Sequence, residues 1–303
     1  MRWERQPPAS ARPVPTMVNG HLVRPRSLRR QLLDSRGAGT VPGLTFAELE
    51  RVERQLLIGD HRALLGMSRP HIADADELVA LRMSVWGLHR REGRVWLDPM
   101  AALGAARLAG NLIREVARAG GRVAFATGSP ASMLTLYQAL AFEAFSHGAT
   151  VPEGTSEDLE MEGHPTDAHL AWINGVAVLS RAGSLLSTTD PLLAKELIFT
   201  CGKPDLFVGD RAFAAVMIGE GVRTIAVAPP TEPIFGVTHR RTGKTTVIPV
   251  VGNMPAPAYL PLVAAATQHV DAPSLSDAAK AAMKTAPNRD NLDSWKKGVR
   301  PLK

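Results

Sequence analysis

The sequence predicts an α/β protein with a Rossmann-like, mostly parallel sheet that has helices on both faces and a helical N-terminal layer. Two observations lead to this class. After residue 120, short apolar runs alternate with segments of helical periodicity, which is the pattern of βαβ units. Several helical segments also open with Asp or Ser followed by Pro, a common start of a helix. A mainly parallel sheet with right-handed crossovers follows from this order.

Composition sets the broad class of the protein. The 303 residues are 45% hydrophobic and 21% charged, as in ordinary globular proteins. The single cysteine, Cys201, excludes a disulfide framework and a multi-cysteine metal site. No apolar run approaches the roughly 18 residues of a membrane span, and the basic N-terminus lacks the apolar core of a signal peptide. We therefore expect a cytoplasmic protein without a membrane partner.

Basic residues concentrate at both ends of the chain. The first 36 residues contain eight arginines and two acids, and the last 24 contain seven basic residues and two acids. We predict a disordered, Pro- and Arg-rich arm over 1–42, a single α/β domain over 43–270 and a basic tail over 271–303. Within the domain, 43–119 forms the helical layer and 120–270 the sheet core. The basic ends leave nucleic-acid binding as a third function, although few aromatic residues are present for base stacking.

The helical layer is predicted from two helix-start signals. Thr45 and Glu48 form a capping box, in which the hydroxyl accepts from the Glu48 amide and the carboxylate reaches back. A stripe of apolar residues follows, so we predict a helix over 46–66. The Asp-Pro pair at 98–99 predicts a second helix that continues to residue 118. One face of that helix carries alanines at four-residue spacing that allow close packing: Ala101, Ala105 and Ala109.

The sheet core is predicted from apolar, β-rich runs and the helical segments between them. Strands are expected at 123–126, 172–179, 184–187, 206–208, 224–228 and 246–251, and helices at 191–199, 212–219 and 259–268. The second and third of these strands are separated by a Gly-containing turn and resemble a hairpin. The acidic segment 151–169 contains prolines and glycines, and we expect it to form a mobile loop near the strand ends.

The turn after the first predicted strand is a candidate anion-binding site. Thr127, Gly128 and Ser129 lie between an apolar run and a helix that starts at Pro130. Ligands of open α/β sheets bind where strands end, and amides at a helix start attract anions. We expect these residues to hold a phosphate or a carboxylate. The alternative is a plain βα turn, with Ser129 as the N-cap and Pro130 at the first helical position.

Three further strand ends carry polar side chains. Asp210 follows the fourth predicted strand, and it is the leading candidate because acidic side chains at strand ends suit Mg²⁺, a hard cation. The alternative role for Asp210 is to cap the helix that follows. Thr231 and Glu232 follow the fifth strand, and Asn253 follows the sixth. Because parallel strands end at one edge of a sheet, we expect these groups to converge on a single site.

Other nucleotide- and phosphate-binding motifs are absent or incomplete. No GxGxxG follows a predicted strand, and there is no GxSxG nucleophile elbow. Gly243, Lys244 and Thr245 match the end of a P-loop, but Thr238 stands where its first glycine belongs and a β-rich run follows. We interpret residues 241–246 as a charged β-turn.

The order of these motifs resembles a family of actinobacterial proteins known simply as phosphatases. The resemblance covers roughly residues 95–268 and runs through ATGSPASMLTLYQALA, WINGVAVL, KPDLFVGDRAFAA, IAVAPPTEP and VIPVVGNMPAPAY. The segments around Gly128, Gln138 and Tyr259 match the family pattern, and Asp210 matches its strand-end Asp.

The chain departs from the family pattern at three places. Arg211 stands where the family has His. Glu232 is the one acid left of two in the turn after the fifth strand, and Val251 and Gly252 replace an acidic pair before Asn253. If the family's acids hold a metal, this chain has fewer ligands for it.

The resemblance and the strand-end residues together imply a metal-assisted phosphohydrolase that acts on a small phosphorylated metabolite. Asp210 would ligate Mg²⁺ or another divalent cation, with Glu232 as second ligand or catalytic base. Five strand-end residues would bind the substrate: Thr127, Gly128, Ser129, Thr231 and Asn253. The alternative is a homologue that has lost catalysis and binds a phosphorylated ligand or a protein partner, which the missing acids favour.

Overall fold

The computed structural model describes most of the chain. The described residues are 16–18, 21–23, 27–70, 72, 74–91, 94–154 and 168–268. Contacts divide the chain into two units, Met1–Gln268 and His269–Lys303, and all described residues belong to the first. The predicted basic tail over 271–303, most of the N-terminal arm before residue 27 and most of the acidic segment 151–169 lie outside the described residues.

Strands and helices alternate along the second half of the described chain, as the sequence predicts. The strands are β1 (Thr16–Val18), β2 (His21–Val23), β3 (Gly39–Thr40), β4 (Leu88–Arg91), β5 (Arg94–Leu97), β6 (Val123–Thr127), β7 (Ala168–Ile173), β8 (Val176–Arg181), β9 (Ser184–Leu186), β10 (Leu206–Gly209), β11 (Thr224–Ala228) and β12 (Thr245–Pro249). The helices are α1 (Leu28–Asp34), α2 (Phe46–Ile58), α3 (His61–Leu64), α4 (Ala75–Trp86), α5 (Pro99–Arg118), α6 (Pro130–Ser146), α7 (Pro191–Cys201), α8 (Arg211–Gly219), α9 (Ile234–Thr242) and α10 (Leu260–Thr267), with a 3₁₀ helix at Ala256–Tyr259. Among these described helices, none has the length and hydropathy needed to cross a membrane.

A seven-stranded sheet forms the centre of the molecule and confirms the predicted α/β class. Its strand order is β12-β11-β10-β6-β8-β7, and β9 pairs with the end of β8. Every pairing from β12 to β8 is parallel, whereas β7 and β9 run antiparallel to β8. The middle strands read as continuous apolar runs because they are buried on both faces.

The strand order reverses direction between β6 and β10. From β6 the chain continues through α6 towards β8 on one side, and from β10 it continues through α8 to β11 and β12 on the other. Right-handed connections therefore place α6 and α8 on opposite faces of the sheet. A reversal of this kind opens a crevice at the carboxyl ends of the two strands, which is where doubly wound α/β proteins bind ligands.

Helix α5 packs closely against α10 through a glycine. Its N-terminus follows the prediction, since the Asp98 carboxylate accepts from the Met100 amide at 2.9 Å. A Cβ on Gly110 would overlap the carbonyl oxygen of Ala266, so only glycine allows this approach. Of the predicted alanine stripe, Ala109 is buried and Ala101 and Ala105 are half-buried. The other buried small residues of this face lie one position further along the chain: Ala102, Ala106 and Gly110.

Two predicted elements are divided by residues with positive φ. The predicted strand 172–179 is two strands, because Asn174 and Gly175 adopt φ of 51° and 78° and form the turn between β7 and β8. An Asn-Gly pair is the preferred sequence of a tight hairpin turn. The predicted helix 46–66 ends at Gly59, which has a left-handed φ of 80°, and Asp60 caps a short new helix. The predicted hairpin before residues 184–187 is confirmed by the pairing of β8 with β9.

The predicted arm over 1–42 differs from the structure in its last third. Residues 28–42 form α1 and the strand β3, which joins β5 and β4 in a small antiparallel sheet. Leu32 is fully buried, and the Ser35 hydroxyl donates to the carbonyl of Ala258 at 3.0 Å. The Val251 amide donates to the carbonyl of Gly37, so this segment is tied to the carboxyl end of β12. The high arginine content of this segment led us to predict an arm, but α1 packs on the core through Leu32.

Candidate functional site

A cavity of about 300 Å³ opens at the carboxyl ends of the parallel strands. The turns after β6, β10, β11 and β12 contribute to it, and the segment before α2 forms its remaining wall. Its lining is Val41, Pro42, Gly43, Leu44, Glu48, Ser129, Met133, Asp210, Arg211, Val227, Pro229, Pro230, Thr231, Glu232, Gly252 and Asn253. The four strand ends singled out in the sequence therefore do meet at one place.

Asp210 lies at the base of this cavity, across the reversal between β6 and β10. Its side chain is 3% exposed and is held by the turn that follows β6. One carboxylate oxygen accepts from the Gly128 amide at 2.6 Å, and the other accepts from the Thr127 hydroxyl at 2.8 Å. The Ser129 amide donates in turn to the Thr127 hydroxyl oxygen at 2.9 Å. The whole turn after β6 is thus built around one carboxylate.

These contacts change the interpretation of Thr127 and Gly128. Both were predicted to bind phosphate directly, but neither lines the cavity, because their donors are directed at Asp210. Glycine is required at 128, since a Cβ there would overlap the carbonyl oxygen of Thr188. Ser129 does line the cavity, and its side chain makes no capping bond at the start of α6, so the predicted N-cap hydrogen bond is absent. Asp210 likewise makes no side-chain cap for α8.

Burial raises the pKa of Asp210 to about 6. The hydrogen bonds from Gly128 and Thr127 and the positive charge of Arg211 oppose this shift without cancelling it. The Tyr137 hydroxyl is fully buried nearby and has no hydrogen bond of normal geometry to the described residues. Its pKa is raised well above the usual range by burial and by the charge of Asp210, so it remains protonated.

Glu232 is the second acid of the cavity, and its carboxyl group has fewer hydrogen-bond partners than that of Asp210. It follows β11, and its Oε2 atom is buried without a hydrogen-bond partner among the described residues. Burial, and next the negative charge of Asp210, raise the pKa of Glu232 to about 8, and Arg211 offsets only part of this. At neutral pH the two carboxyl groups together therefore retain a proton unless a cation compensates their charge.

Arg211 is a residue of the site that the sequence analysis did not identify as functional. It follows Asp210 directly and has φ of 48°, a left-handed conformation that is uncommon outside glycine, asparagine and aspartate. Its side chain lines the cavity, and its guanidinium donates to the Asn253 side-chain oxygen at the long distance of 3.4 Å. The sequence places Arg211 beside Asp210, where the resembling family has His, but it carries no signal for the left-handed conformation that the structure shows.

Two hydrogen bonds of the Tyr259 hydroxyl hold the turn after β12 in place. The tyrosine hydroxyl donates to the carbonyl of Val251 at 2.6 Å and accepts from the Met254 amide at 3.1 Å. Burial raises the pKa of Tyr259 to about 12, so the donor is retained at any physiological pH. Asn253, in the same turn, has φ of 56° and presents its side chain to the cavity.

Glu48 is the second cavity residue that sequence reasoning missed. The Thr45 hydroxyl accepts from the Glu48 amide at 3.2 Å, as the capping box predicts. The return bond from the Glu48 carboxylate to the Thr45 amide is absent among the described contacts, and Glu48 is one of the residues that line the cavity. The capping box alone explained why Glu48 stands at this position, so the sequence offered no reason to assign it to the site.

The atoms that the acids of the cavity could offer to a metal ion are oxygens, which suit a hard cation. Asp210 and Glu232 supply carboxylates, and the buried Glu232 oxygen without a partner is an atom that a cation could satisfy. In the part of the chain that the structure describes, no group of three or more His, Cys, Asp or Glu side chains is arranged to bind a metal ion. The two carboxylates therefore fit a divalent cation in chemistry, with few protein ligands.

Fold and site define a doubly wound α/β protein with an acidic ligand cavity at the point where the strand order reverses. A sequence model of the family described as Phosphatase matches residues 23–273, and the chain belongs to this family. The chain is also similar to Phosphatase SCO2771 from Streptomyces coelicolor, with 25% identity over 220 residues, which are 68% of this chain and 80% of that protein. The resemblance inferred from the sequence is thereby confirmed, with the chain as a diverged member.

Proposed function

We propose that the protein is a metal-dependent phosphohydrolase that acts on a small phosphorylated molecule. Membership of the Phosphatase family supports phosphatase activity in general terms. The observation that supports metal dependence is the pair of buried acids, Asp210 and Glu232, which line one cavity of about 300 Å³, with one Glu232 oxygen buried and without a hydrogen-bond partner among the described residues. A cavity of this volume suits a small phosphate ester.

Each acid has a separate role in this proposal. Asp210 is held by two hydrogen bonds in one orientation, which suits a fixed cation ligand. Glu232 has a free oxygen in the cavity, which suits a second ligand or a base that takes a proton from the attacking water. A bound divalent cation supplies charge neutralisation and lowers the pKa of water. Ser129, Thr231 and Asn253 supply polar groups on the lining that can hydrogen-bond the phosphoryl oxygens.

The second candidate function is binding without catalysis. The absence of a three-ligand metal cluster in the described chain favours it. A protein of this kind would bind a phosphorylated ligand equally well with and without EDTA, whereas the phosphohydrolase requires the cation for turnover. Ligand binding in EDTA together with no release of phosphate in Mg²⁺ would support this second function.

The decisive experiment measures phosphate release from a panel of small phosphate esters with Mg²⁺, with Mn²⁺ and with EDTA. We expect cation-dependent release by the wild-type protein. Asp210→Asn, which keeps the shape of the side chain but removes its charge, should lower kcat by about 100-fold or more. Asp98→Asn is the matched control, because Asp98 caps α5 outside the cavity and asparagine is also a good N-cap. Unchanged hydrolysis by Asp210→Asn would contradict the proposal.

A further inference from the structure

We propose that Arg211 forms an anion subsite that binds the terminal, doubly charged phosphoryl group of a phosphate monoester. This inference rests on the proposed function, because it names the substrate class of the same cavity. It concerns binding only, and it can therefore be tested without turnover.

The first argument is the unused hydrogen-bonding capacity of the Arg211 side chain. A guanidinium carries five N–H donors in a planar fork, and here one long bond of 3.4 Å to Asn253 is its contact with the described residues. Three carboxylates line the same cavity, yet within the described chain Arg211 forms an ion pair with none of them. A guanidinium held in a cavity with most of its fork free matches the geometry of a phosphoryl group.

The second argument is the backbone conformation of Arg211. A left-handed φ of 48° costs roughly 1 kcal/mol or more for a residue with a Cβ, and glycine would avoid the cost. The position nevertheless carries a long cationic side chain. Its path is confined, since a Cβ on Gly128 would come within 3.2 Å of the Arg211 Cδ. The tight turn after β6 thus lets the arginine pass beside Asp210 and reach the cavity.

The third argument is charge balance. A phosphoryl dianion placed beside Asp210 and Glu232 would be repelled by each of these acids that is ionised. Arg211 supplies the positive charge that makes such an anion acceptable, and it does so from the residue next to Asp210. The start of α8 adds to this, because Asp210 is its N-cap residue but makes no side-chain cap, which leaves first-turn amides of the helix free of a capping side chain.

The test is equilibrium binding of inorganic phosphate, methyl phosphate and dimethyl phosphate by calorimetry, in EDTA and in Mg²⁺. We expect phosphate and methyl phosphate to bind and dimethyl phosphate, a singly charged diester, to bind at least about tenfold more weakly. Arg211→Gly should raise the Kd for phosphate by about 10- to 100-fold, and Arg211→Lys by less. Arg240→Ala is the control, because Arg240 is an exposed arginine that does not line the cavity.

Thermal unfolding of the same variants separates binding from folding. Arg211→Gly relieves the backbone conformation but removes a positive charge that offsets both buried acids, so its Tm should stay within about 2–4 °C of the wild-type value while it binds phosphate weakly. Arg211→Asn, which also tolerates this φ, is the second variant without charge. Unchanged phosphate affinity in both variants, or no phosphate binding by the wild-type protein, would overturn the inference. Arg211-dependent phosphate binding without hydrolysis of any ester would instead uphold it and overturn the proposed function.

Discussion

At the scale of single residues, the burial of one pair of acids in the cavity has a large electrostatic cost in free energy. Asp210 and Glu232 are both shielded from water, and the negative charge of Asp210 makes Glu232 harder still to ionise. Asp210 is partly compensated by two donors from the turn after β6, whereas Glu232 is not. The pair should therefore make the stability of the protein depend on pH.

Stability should fall as the pH rises from 5 to 9 in the absence of divalent cations. The folded pKa values of about 6 for Asp210 and about 8 for Glu232 lie above the ordinary values of 3.8 and 4.5. The folded state therefore binds these protons more tightly than the unfolded state, so their contribution is complete below about pH 4 and is lost as the pH passes the two folded values. Thermal unfolding in EDTA across this range measures it.

Glu232→Gln is the variant that assigns this pH dependence. It removes the group with the higher pKa, so the decrease of Tm above pH 6 should become shallower. Glu220→Gln, at an exposed position at the end of α8, should leave the profile as it is. A wild-type profile that is flat or rises up to pH 9 would contradict the electrostatic description of the pair.

The site residues that the sequence predicted share one property, which is their position after a strand. Asp210, Glu232 and Asn253 were found because the ends of parallel strands must meet. Arg211 and Glu48 were not identified as cavity residues. Arg211 adopts a left-handed backbone angle that no local pattern predicts, and Glu48 lies at the start of a helix that is remote in sequence from the strand ends. The predicted metal ion remains a prediction.

At the scale of elements, the contact between α5 and α10 depends on two backbones that approach without a side chain between them. Gly110→Ala would force the helices apart, because the new Cβ meets the carbonyl of Ala266. We expect a loss of about 2–3 kcal/mol in the free energy of unfolding. Denaturant unfolding measures the change.

Gly104→Ala in the same helix is the matched control for this prediction. A Cβ at Gly104 meets no atom within 4 Å, so the substitution should raise the free energy of unfolding by about 0.5–1 kcal/mol through helix propensity. Equal effects at the two positions would mean that propensity, and not close packing, governs α5. The opposite signs that we expect would confirm the close approach of the two helices.

Several elements with strong local signals were predicted closely, whereas the helices α4 and α9 and the strands defined by their neighbours were not. α5 and β11 follow the predicted bounds because a proline start and a continuous apolar run specify them. The short strands β3 and β4 were missed, since they exist only by pairing with β5. Strands of two to four residues have little periodicity of their own, and long-range pairing decides them.

At the scale of the whole molecule, the N-terminal segment closes the cavity over the sheet. Gly37 fits beneath the turn at Ala258, whose carbonyl oxygen a Cβ would overlap. Gly37→Ala should therefore displace residues 41–48 from the cavity wall and lower the free energy of unfolding by about 1–3 kcal/mol. Because Asp210 and Glu232 lie on the sheet side, KM should rise more than kcat falls, as steady-state kinetics on any hydrolysed ester would measure.

The control for the Gly37 variant is Gly219→Ala, where a Cβ has open space around it. It should leave KM unchanged and should not lower the free energy of unfolding, because alanine is the better helix former in the last turn of α8. A Gly37→Ala protein with unaltered KM would show that the wall formed by residues 41–48 does not contact the substrate. A loss of kcat alone would show that the segment acts on the acids themselves.

The hydrogen bonds to the Asp210 carboxylate join parts of the chain that the ribosome synthesises at different times. The donors Thr127 and Gly128 precede the carboxylate by 83 and 82 residues, and the turn that carries Asn253 comes later still. A ribosome that has released only the first two hundred residues has therefore produced half of the sheet and none of the acid pair. The nascent chain at that stage has no acidic cavity, because the cavity is completed only by the turns after the last strands.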